Sequence, residues 1–273
     1  MTSEEVLDRL VSAVRSGAKY RQVCPEVVRN IGRRELATRG SLKEAVKATR
    51  NKLHQVGAAY MPQRATYEQW IAELRHAALQ GDPDLRAACL RVMAHHASTR
   101  ERLPILETFY AIVLADLGPI HSVLDVACGF NPLTLPWMAL PREATYHACD
   151  IYLDLAAFLS AFLQIVGRPA TAVACNVLSN LPQDPVDVAL LLKALPCLEQ
   201  LERGSGARLM DGIATRHLVV SFPVASLGGR DRHMAENYEA RLRELVAGKG
   251  WDMRRFAFRT ELAFLVTKPS FQR

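Results

Sequence analysis

The sequence predicts an α/β protein in which an all-helical region, residues 1–104, precedes a domain built on a mostly parallel sheet, residues 105–273. The first hundred residues show helical periodicity and no strand-like alternation. Further along, short apolar runs rich in β-branched residues alternate with helical stretches at spacings of roughly 20–30 residues, which suits β-α-β units. The last two strand-like runs adjoin each other and leave no room for a crossover helix, so a terminal antiparallel hairpin is predicted.

Composition narrows the class of protein. Apolar residues make up 49% of the 273 and charged residues 23%, which provides a sizeable core and excludes wholesale disorder. The six cysteines show no Cys-x-x-Cys and no His–Cys ligand spacing, which predicts reduced, buried thiols and no metal site. The polar, acidic start does not resemble a signal peptide, and no apolar stretch approaches the ~18–20 residues that cross a bilayer. We therefore expect a soluble cytoplasmic protein.

Helix signals follow one another through the first region. A polar start with Glu5 and Asp8 opens the first helix, and Ser41 with Glu44 fits a capping box, in which each side chain bonds the other residue's free amide. Helices are predicted over residues 3–14, after Cys24-Pro25-Glu26, after Ser41, over residues 67–79 and over residues 84–95.

Positive charge is concentrated in the same region. Residues 1–104 hold 18 basic and 11 acidic side chains, and 11 basic residues lie between Arg15 and Lys52 against three acids. This distribution predicts either a module that binds a polyanion or a well-solvated helical surface, and charge alone does not separate the two.

The second region contains the predicted sheet. Five strand-like runs cover residues 122–127, 144–149, 171–177, 187–192 and 217–222, and the hairpin covers 252–260 and 261–268. Five parallel strands with a terminal hairpin, seven strands in all, are typical of Rossmann-like class I methyltransferases, whereas nucleotide-dependent dehydrogenases usually continue in parallel.

A glycine and an acid follow the first two predicted strands. Gly129 lies just past the first strand, where a glycine lets the backbone approach a ligand closely. Asp150 ends the second strand, where an acid accepts hydrogen bonds from both ribose hydroxyls of an adenosine ligand. The full Gly-x-Gly-x-x-Gly pattern is missing, so an ordinary β-α turn with a helix-capping Asp explains these two residues as well.

Six further segments carry a family resemblance. They are residues 19–21 (KYR), 52–60 (KLHQVGAAY), 95–102 (HHASTRER), 192–199 (LKALPCLE), 220–230 (VSFPVASLGGR) and 234–238 (MAENY). In this order, the chain from Tyr20 to Lys268 resembles the aminoglycoside-resistance 16S rRNA methyltransferases of the Arm/Rmt family. The resemblance implies methyl transfer from S-adenosylmethionine to N7 of guanosine 1405 in the 30S subunit, and resistance to gentamicin- and kanamycin-type drugs.

The resemblance also implies roles for single residues. Arg102 would pair with the methionine carboxylate of the cofactor, and Ala127 and Gly129 would cradle its methionine part. Asp150 would hold the ribose, and Asn176 with Val177 would contact the adenine. Asn176 stands where the family usually has Asp, and its amide oxygen can accept the same hydrogen bond without the charge. Lys193, Glu199 and Arg230 match positions tied to activity and to binding of the target base.

The basic residues gain a specific partner from the resemblance. Those expected to contact rRNA phosphates on the 30S surface are Lys19, Arg21, Arg33, Lys43, Lys47, Arg50 and Lys52. Arg230, Phe222 and Tyr238 are candidates for gripping an extruded guanine, although a core aromatic explains Phe222 equally well. His54, His95 and His96 match no metal-ligand spacing, so packing or capping is the better interpretation. Nothing in the sequence requires a dimer, and a monomer is expected.

Three other functions stay open from sequence alone. A methyltransferase of the same fold could modify another rRNA nucleotide, for instance N1 of an adenine. A dinucleotide oxidoreductase is disfavoured by the missing glycines and by the terminal hairpin. A non-catalytic RNA-binding or assembly factor could use the same basic surface.

Overall fold

The computed structural model describes residues 2–61, 66–224 and 234–269. Within these residues the α-helices are α1 Ser3–Arg15, α2 Pro25–Thr38, α3 Leu42–Leu53, α4 Tyr67–Gln80, α5 Asp82–Met93, α6 Ala97–Arg102, α7 Leu106–Val113, α8 Leu153–Ile165, α9 Leu195–Leu201, α10 Ser205–Gly212 and α11 Met234–Val246. The strands are β1 Ser122–Val126, β2 Thr145–Asp150, β3 Ala170–Ala174, β4 Val186–Leu192, β5 Thr215–Pro223, β6 Asp252–Ala257 and β7 Glu261–Thr267. No described helix is both long and apolar enough to span a bilayer.

The strands form one seven-stranded sheet in the order β3-β2-β1-β4-β5-β7-β6. Neighbours among the first five strands are parallel, and β7 runs antiparallel to both β5 and β6. The predicted parallel sheet with its terminal hairpin is thereby confirmed. The strand order reverses between β1 and β4, and this arrangement opens a crevice at the carboxyl ends of the strands.

Two predicted strands run three residues past the ends of the observed ones. The prediction for residues 171–177 runs three residues beyond β3, because the Asn176 side-chain oxygen accepts the Leu178 amide at 3.1 Å and turns the chain. The prediction for residues 252–260 runs past β6, because the Phe258 amide donates to the Glu261 carbonyl at 2.9 Å across the hairpin turn.

Helix starts depend on caps that the sequence shows only in part. At α3, Ser41 Oγ accepts the Glu44 amide at 3.3 Å, while the Glu44 carboxylate accepts from the Ser41 hydroxyl, so the expected capping box is half formed. A complete box precedes α1, where Thr2 Oγ1 accepts the Glu5 amide at 3.2 Å and the Glu5 carboxylate accepts the Thr2 amide at 2.8 Å. That box was not predicted.

The two faces of the sheet pack into two apolar clusters. Val123 and Leu124 on β1 face opposite clusters, as the period of two in a strand requires. The cluster that holds Val123 also contains Leu10, Val28 and Trp70 of the helical region. The helical region therefore shares its core with one face of the sheet, and a boundary at residue 104 stays a prediction.

Candidate active site

A cavity of about 760 Å³ opens at the carboxyl ends of β1, β2 and β4. One wall consists of Val56, Gly57, Tyr60 and Met61 of the helical region, and the rest comes from α6, from α9 and from the turns that follow the strands. Five of the predicted site residues line this cavity: Arg102, Ala127, Gly129, Asp150 and Lys193.

The turn after β1 holds two residues in the left-handed region. Ala127 has φ 52° and Gly129 has φ 51°, a conformation that costs a residue with a Cβ roughly 1 kcal/mol or more. A Cβ on Gly129 would also come within 2.7 Å of Cε1 of His96. Gly129 therefore makes room for the His96 ring, and its predicted contact with a ligand stays a prediction.

Asp150 is fixed by backbone amides. Its Oδ2 accepts the Gly129 amide at 2.9 Å and its Oδ1 accepts the Ile151 amide at 2.7 Å. Burial raises the pKa of Asp150, and the hydrogen bonds from these two amides oppose that shift. The two oxygens of a carboxylate together offer about four acceptor sites, so the side chain can still accept hydroxyl hydrogen bonds.

Arg102 lies at the cavity edge with only 2% of its surface exposed. Its Nε and Nη2 donate to the Glu261 carboxylate at 3.0 and 2.7 Å, and its Nη1 donates to Asn131 Oδ1 at 2.6 Å. These bonds use three of the five guanidinium N–H groups, so among the described residues two remain for a ligand.

Lys193 follows β4 and supplies a second buried cation. Its φ is 58°, and its amide donates to the carbonyl and the hydroxyl of Ser221 at 3.0 and 3.1 Å. Its Nζ donates to the Glu101 carboxylate at 2.8 Å and lies 3.4 Å from Glu261. A strained backbone at the end of a buried strand is found where the side-chain position matters for function.

A polar network continues beneath the cavity. Asn131 Nδ2 donates to Asp125 Oδ2 at 2.9 Å, and the Tyr146 hydroxyl donates to the same oxygen at 2.6 Å. Burial raises the pKa of Asp125 to about 6, although both hydrogen bonds oppose the shift. Sequence reasoning missed Asn131 and Glu261 as parts of the site. The signal for Glu261 was an acid that begins a strand-like apolar run.

His96 packs against two aromatic rings, in line with the interpretation as a packing residue. Its ring stacks on Phe130 with centroids 5.0 Å apart and faces Tyr60 at 6.5 Å. Burial and the nearby charges of Lys193 and Arg102 lower the pKa of His96 to about 3, so the ring is neutral. Within residues 2–61, 66–224 and 234–269 there is no group of three or more side chains able to hold a metal ion.

Backbone hydrogen bonds join the helical region to the turn that follows β2. The Cys24 amide donates to the Ile151 carbonyl at 2.8 Å, and the Leu153 amide donates to the Gln22 carbonyl at 2.7 Å. A π-helix, His54–Ala58, brings Gly57 against Tyr152, where a Cβ would lie 2.7 Å from the Tyr152 hydroxyl. This close packing explains how residues far apart in sequence form one wall of the cavity.

Three predicted site residues do not line the cavity. Glu199 accepts the amides of Gly204 and Gly206 at 3.0 and 2.7 Å, so it caps the start of α10, and a role of Glu199 in activity stays a prediction. Asn176 borders a second cleft, between α2 and α10, and its oxygen is used by the Leu178 amide. Val177 is buried in the apolar cluster on one face of the sheet.

Of the residues predicted to grip the extruded base, the structure describes Phe222 and Tyr238. Phe222 is 2% exposed and stacks on Tyr238 at 4.7 Å, so the interpretation as a core aromatic is the right one. Arg230 lies outside the described residues. Burial raises the pKa of the thiols of Cys128 and Cys197, which lowers the share of the reactive thiolate form.

The predicted RNA-binding cations differ in how they are held. Lys19 donates to His54 Nδ1 at 3.0 Å, Arg50 donates to the Ala13 carbonyl at 2.5 Å, and Lys52 donates to the Gln200 carbonyl at 3.0 Å. The remaining four, all exposed, are Arg21, Arg33, Lys43 and Lys47. Arg33 lies 3.6 Å from Glu4.

The sheet topology and the cavity at its carboxyl edge define a Rossmann-like class I methyltransferase. A family model described as ribosomal RNA methyltransferase (FmrO) matches residues 15–265. The chain belongs to this family.

Relatives and solved structures agree with the family. A protein of Frankia casuarinae named 16S rRNA (guanine(1405)-N(7))-methyltransferase is 38% identical over 98% of this chain and 95% of its own. One of the same name from Micromonospora echinospora is 35% identical over 97% and 98% of the two chains. The crystal structure of the 16S rRNA methyltransferase RmtF with S-adenosyl-L-homocysteine superposes with a TM-score of 0.82 at 30% identity, covering 98% of this chain and 100% of that one. The predicted family, enzyme class and fold are confirmed.

Proposed function

We propose that this protein transfers a methyl group from S-adenosylmethionine to N7 of guanosine 1405 of 16S rRNA. The names of the relatives support the target nucleotide and atom. The observation that carries the proposal is the cavity, in which Asp150 and the cations Arg102 and Lys193 meet at the carboxyl edge of the sheet.

The residues of the cavity fit this cofactor. The Asp150 carboxylate, held by two amides, can accept the two ribose hydroxyls. Arg102 has two N–H groups left for the methionine carboxylate, a pairing that suits the guanidinium fork. Asn176 and Val177 stay proposed adenine contacts, and Asn176 would have to share its oxygen with the Leu178 amide.

The proposed reaction needs orientation more than acid–base chemistry. When bound, S-adenosylmethionine supplies an electrophilic methyl group on a sulfonium. Guanine N7 has a lone pair and no proton, so a general base is unnecessary. The protein must extrude the base and align N7 for in-line displacement. We propose that Lys193 and Arg230 help with this step.

The proposed substrate is the assembled 30S subunit, bound by a monomer in the cytoplasm. The exposed cations Arg21, Arg33, Lys43 and Lys47, together with Lys19, Arg50 and Lys52, would contact rRNA phosphates and supply affinity that falls with salt. N7 methylation removes an acceptor and adds positive charge, and each charge-assisted hydrogen bond that a cationic drug can no longer make is worth about 1.5–3 kcal/mol. We therefore propose resistance to 4,6-disubstituted deoxystreptamines, with neomycin-type drugs largely spared.

The test incubates the purified protein with methyl-labelled S-adenosylmethionine and 30S subunits, and then maps 7-methylguanosine by borohydride–aniline strand cleavage. A new break at position 1405 supports the proposal, and label without that break moves the target to another nucleotide. Equal methylation of naked 16S rRNA argues against recognition of the assembled subunit.

Asp150→Ala separates the enzyme from a non-catalytic RNA-binding factor. In the enzyme this variant loses both cofactor binding and the resistance phenotype. In a binding factor the phenotype survives.

A further inference from the structure

One carboxylate outside the cavity lining contacts two cations of the cavity. Glu261 has no exposed surface and does not line the cavity, yet its carboxylate accepts two hydrogen bonds from Arg102. One of its oxygens also lies 3.4 Å from Lys193 Nζ. Glu261 therefore holds Arg102 from behind, while Lys193 Nζ is held mainly by Glu101 and the Ser98 carbonyl, at 2.8 and 3.1 Å.

The three side chains come from elements that the sheet brings together. Arg102 ends α6, Lys193 follows β4, and Glu261 begins β7, where it pairs with Pro223 of β5. Since the Lys193 amide also donates to Ser221 of β5, the cation and its carboxylate partner are anchored on the same strand.

Charge explains why a carboxylate is required at this position. Burial of Glu261 favours the neutral acid, but the charges of Arg102 and Lys193 outweigh it and hold the pKa of Glu261 below its usual value. The carboxylate is ionised, and its two oxygens match the fork of the guanidinium. A neutral amide would place an NH2 group where one of the two oxygens stands, so one of the two parallel N–H···O bonds to Arg102 would be lost.

A second acid nearby plays a different part. Glu101 bonds Lys193 at 2.8 Å, but its carboxylate is 30% exposed and makes no bond to Arg102. It carries the same charge in the same cluster without fixing the guanidinium.

We propose that Glu261 is a positioning residue for the methyl donor: its buried carboxylate sets Arg102 in place to receive the carboxylate of the donor's methionine part. The inference rests on the proposed function. Nothing in the role requires Glu261 to touch the ligand.

The experiment measures binding by calorimetry to the full-length protein. One ligand is S-adenosylhomocysteine, and the other is 5′-methylthioadenosine, which has the nucleoside and the sulfur but no amino acid. We expect Glu261→Gln to weaken S-adenosylhomocysteine binding by roughly 10- to 100-fold and to leave 5′-methylthioadenosine binding within about 2-fold.

Glu101→Gln is the matched control, because it removes the same charge from the cluster and leaves the bonds to Arg102 intact. It should keep the preference for S-adenosylhomocysteine. Glu261→Asp keeps the charge but draws the carboxylate back by one methylene, so it should lose the preference even if Glu261→Gln does not fold. Thermal melting without ligand establishes which variants are folded.

Equal losses for both ligands would make Glu261 a purely structural residue and would overturn the inference, as would an unchanged preference in both Glu261 variants. Wild-type protein that binds neither ligand would overturn the proposed function itself, which is a separate result.

Discussion

Arg29 and Arg102 each meet two acceptor groups, but in opposite surroundings. Arg29, on α2, pairs with Glu4 and Asp8 while 34% of its side chain and more than half of each acid stay exposed. Arg102 pairs with Glu261 at 2% and 0% exposure. Water screens the ion pairs of Arg29 and offers it other hydrogen-bond partners. Arg102 is shielded from water and depends on Glu261 and Asn131. Each exposed cation of the helical surface therefore contributes little by itself, whereas each buried cation at the cavity depends on its exact position.

Replacement of each arginine by methionine tests this contrast most strongly. Arg102→Met leaves Glu261 buried without its main partner, so we expect the free energy of unfolding to fall by about 3–5 kcal/mol. Arg29→Met breaks an exposed pair and should cost less than about 1 kcal/mol. Urea unfolding at pH 8 measures both, and similar losses would show that burial does not distinguish the two sites.

The buried acid Asp125 allows the effect of burial to be tested through the pH dependence of stability. Its pKa is raised to about 6 in the folded protein, above its unfolded value of 3.8, so the folded state takes up the proton first as the pH falls. This uptake adds stability as the pH falls from 7 to 4. Asp125→Asn removes it, and the variant should lose about 2 kcal/mol more than wild type over that range.

The measurement is a series of urea unfolding curves between pH 7 and pH 4. Glu68→Gln, an exposed substitution on α4, is the control and should give a curve parallel to wild type. A parallel curve for Asp125→Asn would contradict the raised pKa.

Glu199 is half-buried and tests an intermediate case. Glu199→Gln weakens the cap that the Glu199 carboxylate provides by accepting the Gly204 and Gly206 amides at the start of α10, and we expect a loss of about 1–2 kcal/mol in stability. Affinity for S-adenosylhomocysteine and the methylation rate should stay close to wild type below the melting temperature. A large fall in rate with unchanged stability would support the catalytic role that the family resemblance implied.

Single surface cations should have the smallest effects. Lys43→Gln and Lys47→Gln on α3 should leave stability unchanged and reduce the slope of log affinity for 30S subunits against log salt by about 1 for each phosphate that is no longer neutralised. Arg259→Gln, an exposed cation on the β6–β7 turn, is the control. A slope that changes equally in the control would show that only net charge matters.

Local patterns predicted the elements of the fold because periodicity and turn residues act over a few positions. The five parallel strands and the hairpin follow from the alternation of apolar runs. Strand ends were less predictable. The Asn176 side chain turns the chain after β3, and a pattern of apolar residues carries no information about such a bond.

The site was predicted where the turn chemistry is local and missed where partners are distant. Gly129 and Asp150 lie next to their strands in sequence, and both line the cavity. Glu199 is the last residue of segment 192–199, which carries part of the family resemblance, yet its carboxylate bonds the start of α10. The sequence did not show which of the predicted RNA-binding cations already have partners within the protein. Arg50 and Lys52, for example, donate to backbone carbonyls of the same chain.

The sequence by itself determined the fold class, the family and the turns after β1 and β2, because short-range patterns and motifs specify them. Only the tertiary structure decided which charges lie together. Arg102 and Glu261 are 159 residues apart and form a buried ion pair because α6 and the start of β7 pack against each other. The energy of an ion pair depends on the distance between its charges and on their burial, and neither can be read from the sequence.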